Sequence, residues 1–296
     1  MSKNILVTGA TGKQGGALIK ALLASNADFN IFGLTRSTTS ASAKALQQQS
    51  PKIKLVQGDL DDPAPIFKSA SNLWGVFSVQ TPYGPNTSPD NEEKQGKALV
   101  DLALANNVKH FVYSSVDRGT ERPLVPTPVP HFISKHHIEE YLRTKAAGSS
   151  MSYTIIQPAA FLDNFAGEFG PAFPAMWKAY LGEDKKLQVI ATTDIGKAAA
   201  AAFLNPEKYA GREIPLAGDD LNYKELVRSF KEQTGGKDLP EAPQELAKGV
   251  VEGNEDLKAM WLWFADKGYG VDIAALKKEF PELLDYPTWL KKEGGY

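Results

Sequence analysis

The chain has 296 residues, 42% of them hydrophobic and 23% charged, with a formal net charge of -2 and an isoelectric point near 6.1. This is the composition of a folded globular protein, and without a run of Lys or Arg it has no electrostatic footprint for direct nucleic-acid binding. It contains no cysteine, which excludes disulfides, thiol catalysis and thiolate metal sites, and His131, His136 and His137 lack the i, i+4 spacing of a helical metal pair.

A first strand near Lys3 leaves no room for a secretory leader before it, and no apolar run approaches the roughly 18 residues of a membrane span. The expected location is the cytoplasm. Asn86-Thr87-Ser88 has the form of a glycosylation sequon but reads as a plain turn in that setting.

Up to about residue 160, short β-branched runs alternate with helical stretches, the pattern of βαβ units on a parallel sheet. The predicted strands are Asn4 to Val7, Asn30 to Leu34, Ile53 to Val56, Gly75 to Val79, His110 to Tyr113 and Tyr153 to Ile156. Gly15 to Ala24, Glu92 to Ala105 and Ser134 to Thr144 carry apolar residues at helical spacing. After Pro158 the alternation stops, and Phe161, Phe165, Phe169, Phe173 and Trp177 follow in quick succession. Ile195 to Leu204 reads as an alanine-rich helix capped by Asp194 and ended by Pro206. The last stretch reads as mostly helical, with Trp261, Trp263 and Phe264 as core or subunit-contact residues. The expected fold class is α/β: a doubly wound parallel sheet over 1–157 and a smaller, mostly helical domain over 158–296. The helix at 193–204 is expected to pack back on the first.

Residues 5 to 15 read ILVTGATGKQG, an apolar strand followed by Gly9, Gly12 and Gly15 and then a helix. The first glycine permits a tight turn, the second lets backbone N–H groups approach a pyrophosphate, and the third allows close helix-to-strand packing. In this strand-to-helix setting the spacing reads as a Rossmann-type dinucleotide loop, the alternative being a merely glycine-rich turn. At the end of the second strand the chain reads Gly33-Leu34-Thr35-Arg36-Ser37-Thr38, with no acid to bind a ribose 2′-hydroxyl. Arg36 offers a planar, permanent cation for a 2′-phosphate, with Ser37 and Thr38 as added donors. NADP(H) is therefore expected over NAD(H), the alternative for Arg36 being a solvated surface arginine.

TGATGKQG, TRS, QGDLDD at 57–62, SSVDR at 114–118, PHFISKHHIEEYL at 130–142, QPAAFLDNF at 157–165 and TTDIGKAAAAAF at 192–203 together resemble the NmrA-like family, a branch of the atypical short-chain dehydrogenases. The resemblance extends to about residue 220. It implies that Gly9, Thr11, Gly12, Lys13, Gln14 and Gly15 hold the pyrophosphate and that Arg36, with Ser37 beside it, meets the 2′-phosphate. Asp59 and Leu60 would border the adenine. Val79, Gln80, Thr81, Ser114 and Ser115 would line the approach to the ribose and nicotinamide. Asp59 has a second reading as a helix cap.

Short-chain dehydrogenases generally use Tyr-x-x-x-Lys, the lysine holding the nicotinamide ribose and the tyrosine donating a proton. Here the lysine is Lys135, and the tyrosine position is His131. Two readings follow. In one, His131 is the general acid, and hydride passes from NADPH to a small carbonyl, quinone or conjugated acceptor. In the other, the chain binds NADP(H) without transferring hydride and acts as a redox sensor toward a regulatory protein partner. His131 also has a plain reading as a helix-start residue, after Pro126, Pro128 and Pro130, with its ring half exposed. Phe161, Asn164 and Phe165, just past the sixth strand, are candidate substrate contacts or packing residues.

Overall fold

The computed structural model describes residues 2–84, 87–120, 127–167 and 170–296. Asn86 of the sequon, Pro126 and Phe169 lie outside the described residues. The first elements alternate as read from the sequence: β1 (Lys3–Val7), α1 (Lys13–Ala24), β2 (Phe29–Thr35), α2 (Ala41–Gln48), β3 (Ile53–Gln57), α3 (Ala64–Ser69), β4 (Leu73–Ser78), α4 (Pro89–Ala105), β5 (His110–Ser114), α5 (Pro130–Ala146) and β6 (Ser152–Pro158). Then follow β7 (Ala160–Phe161), α6 (Ala172–Leu181), β8 (Leu187–Ile190), α7 (Thr192–Leu204), α8 (Pro206–Tyr209), β9 (Arg212–Leu216) and β10 (Asp219–Leu221). Five helices close the chain: α9 (Tyr223–Gln233), α10 (Gln244–Glu252), α11 (Glu255–Asp266), α12 (Ile273–Glu279) and α13 (Tyr286–Lys292).

Seven strands form one sheet in the order β3-β2-β1-β4-β5-β6-β9. The pairings from β3 through β6 are parallel, with Ile5 opposite Ile31 and Ile31 opposite Ile53. Such a sheet is covered on both faces, which is why its strands read as continuous apolar runs. Toward α3, α4 and α5 the core is built from Leu6, Val76, Phe111, Leu99, Ile138 and Leu142. Gly75 gives space for the ring of Phe203 on α7, which also meets Trp74 and His110 at centroid distances of 6.3 and 5.9 Å. Gly196 lets α7 lie on the backbone of α1 at Ala17, where a Cβ would collide.

The chain divides into two compact units, and they are not consecutive segments. One comprises residues 1–115, 134–157 and 195–214, the other 116–133, 158–194 and 215–296. The second unit holds a small sheet in the order β10-β8-β7 and an aromatic core that includes Phe165, Trp177, Trp261, Phe264, Tyr286 and Trp289. Leu262, between two buried tryptophans, is exposed. No helix among the described residues is long and apolar enough to cross a membrane.

Three differences from the sequence reading have local causes. The short helices α2 and α3 bury only two residues each, too little for an apolar stripe to register. The small sheet consists of strands of two to four residues, below the length at which alternation is visible. Asp194 does not cap α7, because that helix begins two residues earlier and Asp194 lies in its first turn. Its carboxylate accepts the backbone N–H of Leu284 at 2.7 Å instead.

His110, fully buried in the first unit, titrates far from an exposed imidazole. Burial, reinforced by the Lys3 ammonium, pulls it down to about 4. In the unfolded chain an imidazole titrates near 6.5, so the unfolded state takes up the proton first as pH falls. Stability from this residue is present above about pH 6.5 and is lost toward pH 4, at most about 3 kcal/mol. Urea unfolding across this range should show the decline, and His110→Gln should flatten it. An unchanged slope in the variant would assign the pH dependence elsewhere.

Candidate functional site

Because β1 to β5 run parallel, their carboxyl ends share one edge of the sheet, where ligands of doubly wound folds bind. Every residue expected at the cofactor, Lys135 on α5 excepted, lies at or just past one of these ends. The two strands flanking the point where the order reverses, β1 and β4, are pinned together by Thr8. Its backbone N–H donates to Phe77 O at 3.0 Å, its hydroxyl donates to Val79 O at 3.1 Å, and its Oγ1 accepts the Val79 N–H at 2.8 Å.

The glycine loop springs from this pinned point. Gly9 has φ +58°, a left-handed conformation that favours glycine. Gly12 N–H donates to Gly9 O at 2.8 Å and closes the turn. A Cβ on Gly15 would collide with the backbone of Thr8 and Gly9. Gly12 is also the N-cap of α1, so no side chain occupies the helix's amino end, and its first turn holds no acid. Gly9, Thr11, Gly12 and Lys13 are exposed. This is a cradle of backbone donors at a helix dipole, suited to an anion. Gln14 is partly committed elsewhere, since its Oε1 accepts the Ser114 hydroxyl at 2.5 Å.

Beyond β2, Arg36 is exposed and has no hydrogen-bond or ion-pair partner among the described residues, and no carboxylate occurs from 33 to 38. Ser37 and Thr38 stand beside it, with Thr38 Oγ1 3.4 Å from Gln57 Oε1. Past β3, Asp59 does not cap α3, whose N-cap is Pro63. Its Oδ1 accepts the Asp61 N–H at 3.0 Å, which shapes the turn carrying half-buried Leu60. Asp61 in turn accepts Gln95 Nε2 at 2.7 Å and Asn91 Nδ2 at 2.9 Å, and these bonds hold its carboxyl below the usual range. α4 thus anchors the turn after β3.

Past β4, Gln80 is 6% exposed. Its Nε2 donates to Ser78 Oγ at 2.8 Å, while its buried Oε1 has no partner among the described residues. Val79 is half buried, and the exposed Thr81 accepts the Tyr83 N–H through its hydroxyl. At the end of β5 the Ser115 hydroxyl donates to the fully buried Glu139 at 2.5 Å. Ser114 and Ser115 therefore both spend their hydroxyl protons inside the protein.

Lys135 is 8% exposed. Its Nζ donates to Glu92 Oε1 at 2.6 Å, and Glu92 is its hydrogen-bond partner among the described residues. An ammonium has three donors, so two remain for a ligand. Among the described residues, the unfilled donors of Lys135 suit hydroxyls, the unfilled Oε1 of Gln80 suits an amide N–H, and the glycine cradle suits a pyrophosphate. The residues of the first unit fit a dinucleotide.

In the second unit, His131 is not a half-exposed helix-start residue. It is 7% exposed, and Asp256 Oδ1 accepts both its backbone N–H at 3.0 Å and Nδ1–H at 2.8 Å. Phe165 belongs to the aromatic core, against Phe173 and Tyr286 at 5.0 and 5.6 Å. Phe161 is half buried on β7, and Asn164 is exposed. A cavity of about 310 Å³ lies between the segments around Gly119, Thr127, Trp263 and Tyr269, and none of the expected site residues lines it. The residues that sequence reasoning missed are Glu92, Asp256 and Glu139. Glu92 alone left a signal, falling on the same helical stripe as Gly96, Leu99 and Ala103.

The cradle generates a stability prediction. Gly15→Ala must displace the loop backbone and should cost about 1 to 3 kcal/mol, read by urea unfolding. A variant as stable as the parent would show that the close packing is not what the glycine serves.

The NmrA-like family model matches residues 1–289. The NmrA-like family domain-containing oxidoreductase FrzB of a Cladobotryum species is 30% identical over 253 residues, 79% of this chain and 74% of that protein. Among solved structures, the Citrobacter sp. triphenylmethane reductase complexed with NADP(H) superposes with a TM-score of 0.74 at 20% identity, covering 98% of this chain and 99% of that one. NmrA, a negative transcriptional regulator solved in complex with NADP, gives 0.72 at 19% identity, covering 99% and 95%. With a family model matched along nearly its whole length and a relative at that identity, the chain is a member of the NmrA-like family.

Proposed function

We propose that this protein binds NADP(H) along the carboxyl edge of β1 to β5 and uses it to reduce a small carbonyl, quinone or conjugated acceptor. The observation that carries the cofactor choice is Arg36, a cation past β2 without a partner among the described residues, in a stretch without carboxylates. A guanidinium fork there suits a 2′-phosphate, and no carboxylate from 33 to 38 is present to accept a 2′-hydroxyl. The relative named an oxidoreductase and the fold shared with an NADP(H)-complexed reductase support the reading. NADPH, when bound, supplies the hydride. Lys135 would hold the nicotinamide ribose through its two remaining donors. His131, with Nδ1–H given to Asp256, would deliver a proton from Nε2, which makes it the proposed general acid. Phe161 and Asn164 remain the proposed substrate contacts, and the proposed setting is the cytoplasm.

A second reading, a redox sensor for a regulatory protein partner, is favoured by one feature. The hydroxyl protons of Ser114 and Ser115 point to Gln14 and Glu139, so neither serine offers a proton to a substrate oxygen. The NADP-complexed regulator of the same fold is consistent with it.

Two measurements test these readings. NADPH oxidation with a panel of quinones, aldehydes and enones should exceed the buffer rate for at least one acceptor. No turnover with any, together with clearly different affinities for NADP and NADPH by calorimetry, would favour the sensor. For the cofactor, Arg36→Ala should weaken NADP more than NAD by about 1 to 3 kcal/mol, and an equal loss for both would refute the assignment.

A further inference from the structure

The side chain of Glu92 is fully buried, yet it is spent entirely on two adjacent residues of another helix. Its Oε1 accepts Lys135 Nζ at 2.6 Å and its Oε2 accepts the Ser134 hydroxyl at 2.5 Å. One turn further along α4, Gly96 lets Ile138 lie against the helix backbone, where a Cβ would collide. α4 and α5 are thereby held close enough for a carboxylate to reach across. Burying an ion pair is a poor way to gain stability, because desolvation costs several kcal/mol per ion and a well-packed apolar pair often does as well. This pair is costlier still, since Lys135, in a buried position, keeps two donors without acceptors among the described residues.

We propose that Glu92 is the positioning residue for Lys135, and that by fixing the ammonium it sets affinity for the nicotinamide half of the cofactor while leaving the adenosine half untouched. The inference rests on the reading of Lys135 as a cofactor-binding residue. Glu92 lacks contact with the ligand in this scheme. It acts by orienting the lysine's remaining donors and by preserving a charge that would otherwise be buried alone.

The two halves of the cofactor can be probed separately. NADPH reports on both, whereas adenosine 2′,5′-bisphosphate reports on the Arg36 side only. Fluorescence or calorimetric titration of Glu92→Gln should show NADPH affinity reduced by about tenfold or more, the scale of one lost charge-assisted bond, with adenosine 2′,5′-bisphosphate affinity unchanged. Lys135→Met should give the same selective loss. In the double variant the losses should not add, because both remove one interaction. Should Glu92→Gln not fold, Glu92→Asp keeps the charge but withdraws it by one methylene, and it should show a smaller loss with the same selectivity. Equal weakening of both ligands, additive losses or unchanged NADPH affinity would overturn the proposal. A parent protein that binds neither ligand would instead overturn the cofactor reading on which it rests.

Discussion

Parallel pairing of β1 with both β2 and β4 is the constraint on which the site depends. It brings the ends of β1 to β5 to one edge and reverses the strand order beside β1, so the connections on either side leave a crevice there. Thr8 keeps the crevice's base closed by bonding to β4 through backbone and side chain together. The glycine loop can then be open, with Gly9 in a left-handed conformation that glycine adopts freely, because the residue before it is held to β4 by three bonds. A rigid base under a permissive loop is what a backbone anion cradle needs.

α4 ties this edge together at two places. Asn91 and Gln95 hold Asp61 in the turn after β3, and Glu92 between them holds Ser134 and Lys135 at the start of α5. The helix is set by Ser88, whose Oγ accepts the Asn91 N–H at 3.1 Å, and by Pro89 in its first turn. Three polar residues within five positions thus reach both the turn after β3 and the early turns of α5. A shift of α4 would move both at once, so the turn after β3 and Lys135 share one mechanical reference. A second buried polar group extends the pattern: Glu139 takes the Ser115 hydroxyl, Gln157 and Arg143, linking the end of β5 to the same helix α5.

The sequence made the strand-loop-helix unit and the cation at Arg36 legible because both are local. Glycine spacing, a flanking apolar run and the position just past a strand are properties of a dozen neighbouring residues. The partners that give the polar residues their roles are not local. Lys135 and Glu92 are 43 residues apart, and His131 and Asp256 are 125 apart, so no window of sequence contains either pair. Glu92 falls on the buried stripe with Gly96, Leu99 and Ala103, but in Pro-Asp-Asn-Glu-Glu-Lys it also looks like the solvated acidic first turn that helix dipoles favour. The buried state of His131 was hidden in the same way, since a histidine after three prolines resembles an exposed helix start. Phe165 was ambiguous from the outset, because a ring after a strand serves a pocket or a core equally well, and only the surrounding rings decide.

The proton inventory constrains which acceptors suit the proposed reductase. Reducing a simple carbonyl leaves an alkoxide, a strong base that needs a proton donor positioned at its oxygen as it forms. With no tyrosine at position 131 and both serine protons turned inward, the Lys135 ammonium, which Glu92 holds by charge, is a donor that the first unit itself offers. Quinones and extended conjugated acceptors ask less of the protein, because the anion left after hydride arrival is delocalised and can wait for a proton from solvent. Under the proposed function, a framework that spends the Ser114 and Ser115 hydroxyls internally and holds Lys135 for the ribose would be better matched to such delocalised acceptors than to isolated carbonyls. On that same proposal, a histidine at position 131 would bear on the class of substrate more than it would forbid the hydride step.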